Sequence, residues 1–237
     1  MGEESAKDLL RDYLIKGILT DIYTAEEAYS LASEIGDEAE HVNRAGFGRL
    51  FHTLQVTLSD RQTLSVTRIF DQPHRKYLVR SIPTILRLLE QQGSALPIRE
   101  PQILINVLAR SDREPPEVHD HQGITAAIVE HYQKELERQS LKVPLQHLRD
   151  SRDKVIAHNE AVDPSIRLRP TWGHAQALVD FAKDFVIVIS WGYLSLHLSA
   201  GGKLDTSRDA RQSALALRRV LAVLRRGTGA EMSGDPE

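Results

Sequence analysis

Apolar residues recur every three or four positions along most of the chain, the period of a helix with one buried face. Glycine and proline are gathered between these segments, and the alternating β-branched runs typical of strands are nearly absent. The pattern therefore predicts an all-α fold. The first helix is expected from about residue 5 into the 30s, ending near Gly36. Its predicted buried face consists of Leu9, Leu10, Leu14, Ile18 and Ile22.

Prolines and glycines set the predicted ends of the later helices. Asp71-Gln72-Pro73 should end the long second helix, because proline has no backbone N–H to donate. Gly93 should end the third helix, and Pro144 can begin a helix because the N–H that it lacks would be unpaired in the first turn. The later helices are predicted at residues 41–70, 76–92, 103–108, 124–139, 144–158, 172–198 and 207–226.

At 237 residues the chain is long enough for one sizeable domain, or two small ones, with a substantial core. We predict one helical domain over residues 1–200. Residues 94–123, rich in proline and charge, are interpreted as a connector or insertion within it. A basic amphipathic helix over residues 203–226 and a disordered tail over residues 227–237 complete the predicted organisation.

Composition narrows the possible functions. The formal net charge is −3, so a nucleic-acid site would have to be a local basic patch. The chain has no cysteine and therefore no disulfide or cysteine-ligated metal. The sequence His119-Asp120-His121 lacks a clear third ligand and is interpreted as a solvated loop. We predict neither a metal nor another cofactor.

The predicted location is the cytoplasm, without membrane association. The first residues, M-G-E-E-S-A-K-D, are acidic and polar, where a secretory signal would be basic and then apolar. Residues 185–200 are almost uncharged, but they are fewer than the roughly 20 residues needed to span a bilayer. We interpret them as part of a buried core helix.

Arg152 lies among apolar residues on the predicted helix at 144–158. At about 100° per residue it falls about 20° from Leu141, within an apolar stripe. A buried guanidinium must be paired, or face an anion or a partner surface, because an unpaired buried charge is costly. The candidate partners within the chain are Asp60, Asp71 and Glu130.

A polar stripe runs beside the apolar one, with residues at offsets of four, three and four. It would place a titratable imidazole near the fixed charge of Arg152. The alternative is that Arg152 belongs to a structural salt bridge and that the polar stripe is an ordinary solvated face. The members of the stripe are His147, Ser151, Lys154 and His158.

Two segments resemble those of a known superfamily. Residues 152–158, R-D-K-V-I-A-H, combine an arginine, a polar residue directly after it and a histidine four to six residues beyond the arginine. On a late helix of an all-helical domain, this resembles the signature of the HEPN superfamily (higher eukaryotes and prokaryotes nucleotide-binding). Residues 64–73, L-S-V-T-R-I-F-D-Q-P, resemble a turn of its abortive-infection type-U branch. The resemblance covers roughly residues 47–159 and implies an HEPN-like helical bundle with an additional C-terminal amphipathic helix.

The resemblance implies a metal-independent endoribonuclease of the toxin or abortive-infection type, acting in antiviral or stress defence. Arg152 and His158 would be its catalytic pair, cleaving RNA, with tRNA as one candidate, through attack by the substrate's own 2′-hydroxyl. The residues expected to support this pair are Asp153, Asn159, Ser151, Lys154 and His147.

The predicted final helix holds the densest basic cluster of the chain. Its arginines could contact RNA phosphates, or the helix could be an ordinary solvated packing helix. The candidate phosphate contacts are Arg218, Arg219, Arg225 and Arg226.

The spacing of the motif favours a homodimer. In an α-helix Arg152 and His158 would lie about 9 Å apart along the axis and about 120° apart around it, so one helix does not easily aim both at one phosphate. Two motif helices crossing near a two-fold axis could line a shared cleft, as HEPN proteins commonly do. The alternative function is a non-catalytic HEPN binding or assembly module that works with an antitoxin or another defence protein.

Overall fold

The structure is a computed structural model that describes residues 5–110, 115–157, 172–200, 203–204 and 206–231. Within these residues the chain is almost wholly helical, which confirms the predicted all-α fold. The two strands found there, β1 (Ser199–Ala200) and β2 (Lys203–Leu204), pair antiparallel in a small hairpin. The α-helices in chain order are α1 (Ala6–Asp12), α2 (Thr20–Asp37), α3 (Ala39–Arg44), α4 (Gly48–Ile69), α5 (Ile82–Gln92), α6 (Pro101–Leu108), α7 (His121–Glu137), α8 (Gln139–Ser151), α9 (Trp172–Leu194) and α10 (Ser207–Glu231).

The first predicted helix is present, with a π-helical segment in its middle. The Ser5 hydroxyl accepts the backbone N–H of Asp8, a side-chain cap that satisfies one donor of the first turn. The π-helical segment, Tyr13–Leu19, then joins α1 to α2 without a break. Apart from half-buried Leu9, the predicted apolar face is fully buried.

The prediction of one helix over residues 41–70 was wrong in one respect, because α3 and α4 are separate. The break lies at residues 45–47, where Gly46 has a φ of 80°. That left-handed conformation suits glycine, which has no Cβ to clash, and it ends a helix. Helix α4 ends at Ile69, shortly before the predicted boundary at Pro73.

The third helix begins six residues later than predicted, at Ile82 rather than at Lys76. The side chain of Ser81 caps it by accepting the N–H of Thr84, and Pro83 occupies its first turn. A proline is well placed there but would interrupt a helix that had begun at residue 76. Residues 71–80 are consequently a non-helical turn between α4 and α5.

The predicted role of Pro144 was also wrong. Helix α8 begins at Gln139, and Pro144 lies inside it. The carbonyl of Arg138 accepts the N–H groups of Leu141 and Lys142, so the first turn has formed before Pro144 is reached. Proline costs little there, since the carbonyl that loses its partner belongs to Ser140, in an exposed part of the first turn. Helix α8 then passes into a second π-helical segment, Arg152–Ala157.

Helix α9 runs through the core. Phe185 is fully buried on it and meets Tyr132 of α7 edge to face, with ring centroids 4.8 Å apart. Phe181 stacks at 6.1 Å on Phe70, the residue that directly follows α4. The turn after α4 is thereby anchored to the core. Helix α9 ends at Leu194, four residues before its predicted end.

None of the described helices is both long enough and apolar enough to cross a membrane. The described part of the chain also holds no group of three His, Asp or Glu residues placed to bind a metal ion. In the His119-Asp120-His121 sequence, the Asp120 carboxylate caps α7 by accepting the N–H of Gly123 at 2.8 Å.

Helix α10 packs along α2 and is longer than predicted. It continues to Glu231, whereas residues from 227 onward were expected to be disordered; residues 232–237 lie outside the described residues. Leu221 joins Ile35, Val42 and Phe51 in a small apolar cluster that is separate from the main core. This apolar contact, together with ion pairs to α2, gives α10 the tertiary support that a solvated tail would lack.

Alanine substitutions at two glycines of the first helical stretch are expected to have opposite effects on stability. An alanine Cβ at Gly17 would lie 2.3 Å from the Cβ of Arg80 and 3.1 Å from its carbonyl oxygen, so Gly17→Ala should lower the free energy of unfolding by about 1–3 kcal/mol. At Gly36 the atom nearest to an added Cβ would be Nε2 of Gln55, at 3.7 Å, which is an ordinary contact. Gly36→Ala should therefore raise the free energy of unfolding by about 0.5–1 kcal/mol. Urea unfolding measures both, and equal changes would refute the assigned close approach at Gly17.

Candidate active site

The two segments that resemble the HEPN pattern meet in space. Arg152, at the end of α8, donates from Nη1 to Oδ1 of Asp71, in the turn after α4, over 2.8 Å. Both side chains are partly buried, with 24% of Arg152 and 33% of Asp71 exposed. Of the three carboxylates considered as partners of Arg152, the structure selects Asp71. Glu130 instead pairs with Lys134.

The turn is also held through its backbone. Arg149, one turn before Arg152 on α8, donates from Nη2 to the carbonyl of Phe70 over 2.7 Å. The hydroxyl of Ser81, which caps α5, donates to the carbonyl of Asp71 over 2.6 Å. Since Phe70 also packs into the core, the backbone that carries the Asp71 carboxylate is fixed at three points. The partner of Arg152 is therefore preorganised.

Arg152 has a second acidic partner, its neighbour Asp153. Nε of Arg152 donates to Oδ1 of Asp153 over 2.8 Å, and 55% of the Asp153 side chain is exposed. Burial alone would lower the pKa of Arg152, but the hydrogen bonds to Asp153 and Asp71 outweigh it and raise that pKa. Arg152 is thus held by two carboxylates and is still partly exposed.

Arg149 has a different electrostatic environment. Burial lowers its pKa; the negative charge of Asp71 opposes this effect, and the positive charge of Arg152 adds to it. Among the described residues no carboxylate oxygen contacts the Arg149 guanidinium, which is hydrogen-bonded only to a carbonyl. Two arginines therefore flank Asp71, and Arg149 contacts no carboxylate within the described part of the chain.

The predicted polar stripe is only partly a solvated surface. Ser151 is buried, with 8% exposed, and Lys154 is half-buried. The exposed His147 packs against His174 of α9, with ring centroids 5.2 Å apart. His158 and Asn159 lie outside the described residues.

The helix changes its winding at Arg152. Residues Arg152–Ala157 are π-helical, with i→i+5 hydrogen bonds in place of i→i+4. The α-helical distances expected between Arg152 and later residues of the motif consequently do not apply to this segment. Such π-helical insertions are frequent at functional sites, where they redirect side chains.

The basic cluster of α10 is largely turned toward α2. Arg218 donates from Nε and Nη2 to both carboxylate oxygens of Glu34, at 2.8 and 2.5 Å. Arg225 pairs with Glu38 at 3.0 Å. Arg219 is exposed and has no ion-pair partner among the described residues, while the side chain of Arg226 lies outside them. Of the three arginines whose side chains are described, Arg219 is therefore the best placed for a contact outside the molecule.

Arg149 was not among the site residues predicted from the sequence, and neither was the cleft beside it. A cleft of about 620 Å³ opens between the turn after α4 and helices α5, α7 and α8, and Arg149 lines it. On the helical wheel Arg149 lies about 80° from Leu141, at the edge of the apolar stripe. That position would have marked it as a second half-buried arginine one turn from Arg152.

The helical bundle, with an arginine at the end of a late helix held by the turn after α4, defines a protein of the HEPN class. The family model described as AbiU2, an HEPN family, matches residues 9–212. The chain therefore belongs to the AbiU2 family of HEPN proteins. The match extends beyond the predicted 47–159 at both ends. A comparison with curated proteins and one with solved structures each found no match.

Proposed function

We propose that this protein is a metal-independent endoribonuclease, with Arg152 and His158 as its active pair, and that it acts in cytoplasmic abortive-infection or stress defence. The supporting observation is the junction of the two family segments, in which Asp71 of the turn fixes Arg152 at the surface end of α8. Such a rigidly held cation is suited to stabilising charge on a phosphate.

The proposed reaction needs no group outside the protein and its RNA substrate. O2′ attacks the adjacent phosphorus, the bond to O5′ breaks, and the products carry a 2′,3′-cyclic phosphate and a 5′-hydroxyl. One proton leaves O2′ and one joins O5′, and His158 serves as the base or the acid because an imidazole titrates near neutral pH. Arg152 stabilises the charge on the phosphate oxygens.

Arg152 must release one contact to bind phosphate. Its Nη2 makes no hydrogen bond within the described residues, and its Nε is held by the more exposed carboxylate, that of Asp153. A phosphate approaching from solvent would displace Asp153 and take two nitrogens of the guanidinium, while Asp71 keeps the side chain in place. In this reaction Asp153 occupies the Nε of Arg152 until phosphate displaces it, and Asp71 holds the guanidinium in position.

A composite site requires two chains, and we expect a homodimer at micromolar concentration. Pairing of two motif helices would bring the Arg152 and His158 of both chains to one cleft. Size-exclusion chromatography with light scattering measures the particle mass directly. A strictly monomeric particle that cleaves RNA would contradict the shared site and leave catalysis to one chain.

One observation favours a second function. Arg152 already has two carboxylate partners in its own chain, as a structural arginine would. A non-catalytic HEPN module that binds an antitoxin or another defence protein accounts for this pairing as well.

The two functions are separated by incubating the purified protein with total RNA or tRNA in EDTA beside a His158→Ala control. The nuclease predicts fragments ending in a 2′,3′-cyclic phosphate, which resists periodate oxidation until acid and phosphatase free the 2′,3′-diol. Equal cutting by both proteins would contradict the proposal, because His158 would then not belong to the active pair. An absence of cutting on any RNA tried, together with binding of a protein partner by both forms, would establish the binding module instead.

A further inference from the structure

The cleft beside Arg149 has the size and lining of a ligand site. Its volume of about 620 Å³ falls within the range of roughly 300–1,000 Å³ typical of small-molecule sites. Each helical wall of the cleft is a row of residues three or four positions apart. Examples are Pro83, Leu86 and Arg87 on α5, and Gln133 and Leu136 on α7. Apolar side chains and side-chain amides both line the cleft, as a flat ligand with polar edges would require.

Three charged side chains of this cleft, those of Arg149, Arg87 and Glu90, make no ion pair among the described residues. Arg149 is half-buried, whereas Arg87 and Glu90 are exposed. Lys142, on the same wall as Arg149, is paired with Glu137 at 2.6 Å. The guanidinium of Arg149 contacts a backbone carbonyl but no carboxylate among the described residues. A partly desolvated cation in that state is stabilised by an anion that enters the cleft.

The neutral lining fits a nucleobase. The carboxamides of Gln72 and Gln133 make no hydrogen bond within the described residues, and each offers a donor and an acceptor to the edge of a base. Pro73 and Leu136, which are half-buried, add apolar surface against which a base can lie.

We propose that this cleft binds an unpaired nucleotide of the RNA strand, with Arg149 taking the phosphate next to the one at Arg152. This assignment rests on the proposed ribonuclease function and names the substrate as single-stranded at the cleavage site. Arg149 and Arg152 are one helical turn apart, where the Cβ atoms of neighbours on one face lie about 5–6 Å apart. Successive phosphates of one strand can therefore reach both arginines.

The test measures binding apart from cleavage. A fluorescent, fully 2′-O-methylated RNA oligonucleotide has no 2′-hydroxyl to attack and reports binding by anisotropy. Arg149→Gln should weaken its binding by about tenfold or more, because it removes a charge-assisted contact to phosphate. The matched control is Arg138→Gln, an exposed arginine at the start of α8 that pairs with Glu135 outside the cleft. It should change binding by less than about twofold.

A second variant keeps the charge and fills the cleft. Gln133 is exposed on the wall formed by α7, so Gln133→Trp should fold normally and weaken binding to a similar extent by occupying the cleft. Wild-type affinity in both variants would overturn the proposal. Loss of affinity in Gln133→Trp alone, with Arg149→Gln unchanged, would overturn the role of Arg149.

Two further comparisons distinguish a free nucleotide from an RNA strand as the ligand, and the cleft proposal from the nuclease proposal. Adenosine monophosphate is used as a competitor of the oligonucleotide. If it binds as tightly as the oligonucleotide does, the ligand of the cleft is a free nucleotide, and the proposal that it is part of an RNA strand is overturned. If both Arg149→Gln and Gln133→Trp bind and cleave like wild type, the cleft proposal is overturned and the nuclease is left intact. An oligonucleotide bound through Arg149 by a protein that cleaves no RNA would retain the cleft and overturn the nuclease.

Discussion

His158→Ala is expected to lower the rate of RNA cleavage by about 100- to 10,000-fold, the usual cost of losing one general acid or base. The imidazole is the group of the motif that can exchange a proton near neutral pH, whereas Arg152 stays protonated. Initial rates on a labelled RNA in EDTA measure the effect, and circular dichroism should show an unchanged helical content.

A matched control is His52→Ala, which removes an exposed histidine of α4 far along the chain from the motif. It should cleave at the wild-type rate. A small loss for His158→Ala, equal to that of His52→Ala, would remove His158 from the active pair.

Arg152→Ala is expected to lower the cleavage rate by about 100- to 1,000-fold, the scale observed when one group that stabilises an oxyanion is removed. Arg152→Lys should restore little of it, because an ammonium keeps the charge but cannot hold Asp71 and a phosphate together as a planar fork does. Single-turnover rates measure both variants.

Arg61→Ala controls for the loss of an ion pair, since Arg61 of α4 contacts Glu27 of α2 through Nη2 at 3.0 Å in a partly buried pair outside the turn that carries Asp71. Loss of an exposed ion pair costs about 0.2–1 kcal/mol, and loss of one partner of a buried pair costs roughly 3–5 kcal/mol. Because both pairs are partly buried, the free energy of unfolding of each alanine variant should fall by an amount between these two ranges. If Arg152→Ala and Arg61→Ala both lost stability and both kept activity, Arg152 would be a structural arginine.

Much of the helical layout could be predicted because it depends on local signals. The apolar face from Leu10 to Ile22 follows from periodicity, and the end of α4 follows from the nearby proline. The break at Gly46 and the late start of α5 at Ile82 were missed, because the same glycine or proline can lie within, begin or end a helix. The two π-helical segments have no compositional signal that distinguishes them from α-helix.

The candidate site was predictable as a motif but not as a contact. Arg152 was identified as a cation needing a partner, yet three carboxylates were equally possible because the sequence does not say which turn packs on α8. Asp71 lies 81 residues away from it along the chain. The cleft beside Arg149 arises only when three helices and a turn meet, so it could be recognised only in the folded structure.

The packing of α10 along α2 joins residues that lie far apart in the chain. Glu38 and Arg225 are 187 residues apart in the chain, and Glu34 and Arg218 are 184 apart. Contacts between such distant residues form late and slow folding, because a long loop must close before they stabilise anything. While the chain emerges from the ribosome, α2 thus presents an acidic and partly apolar surface, and α10 covers it only after the helices between them have been made.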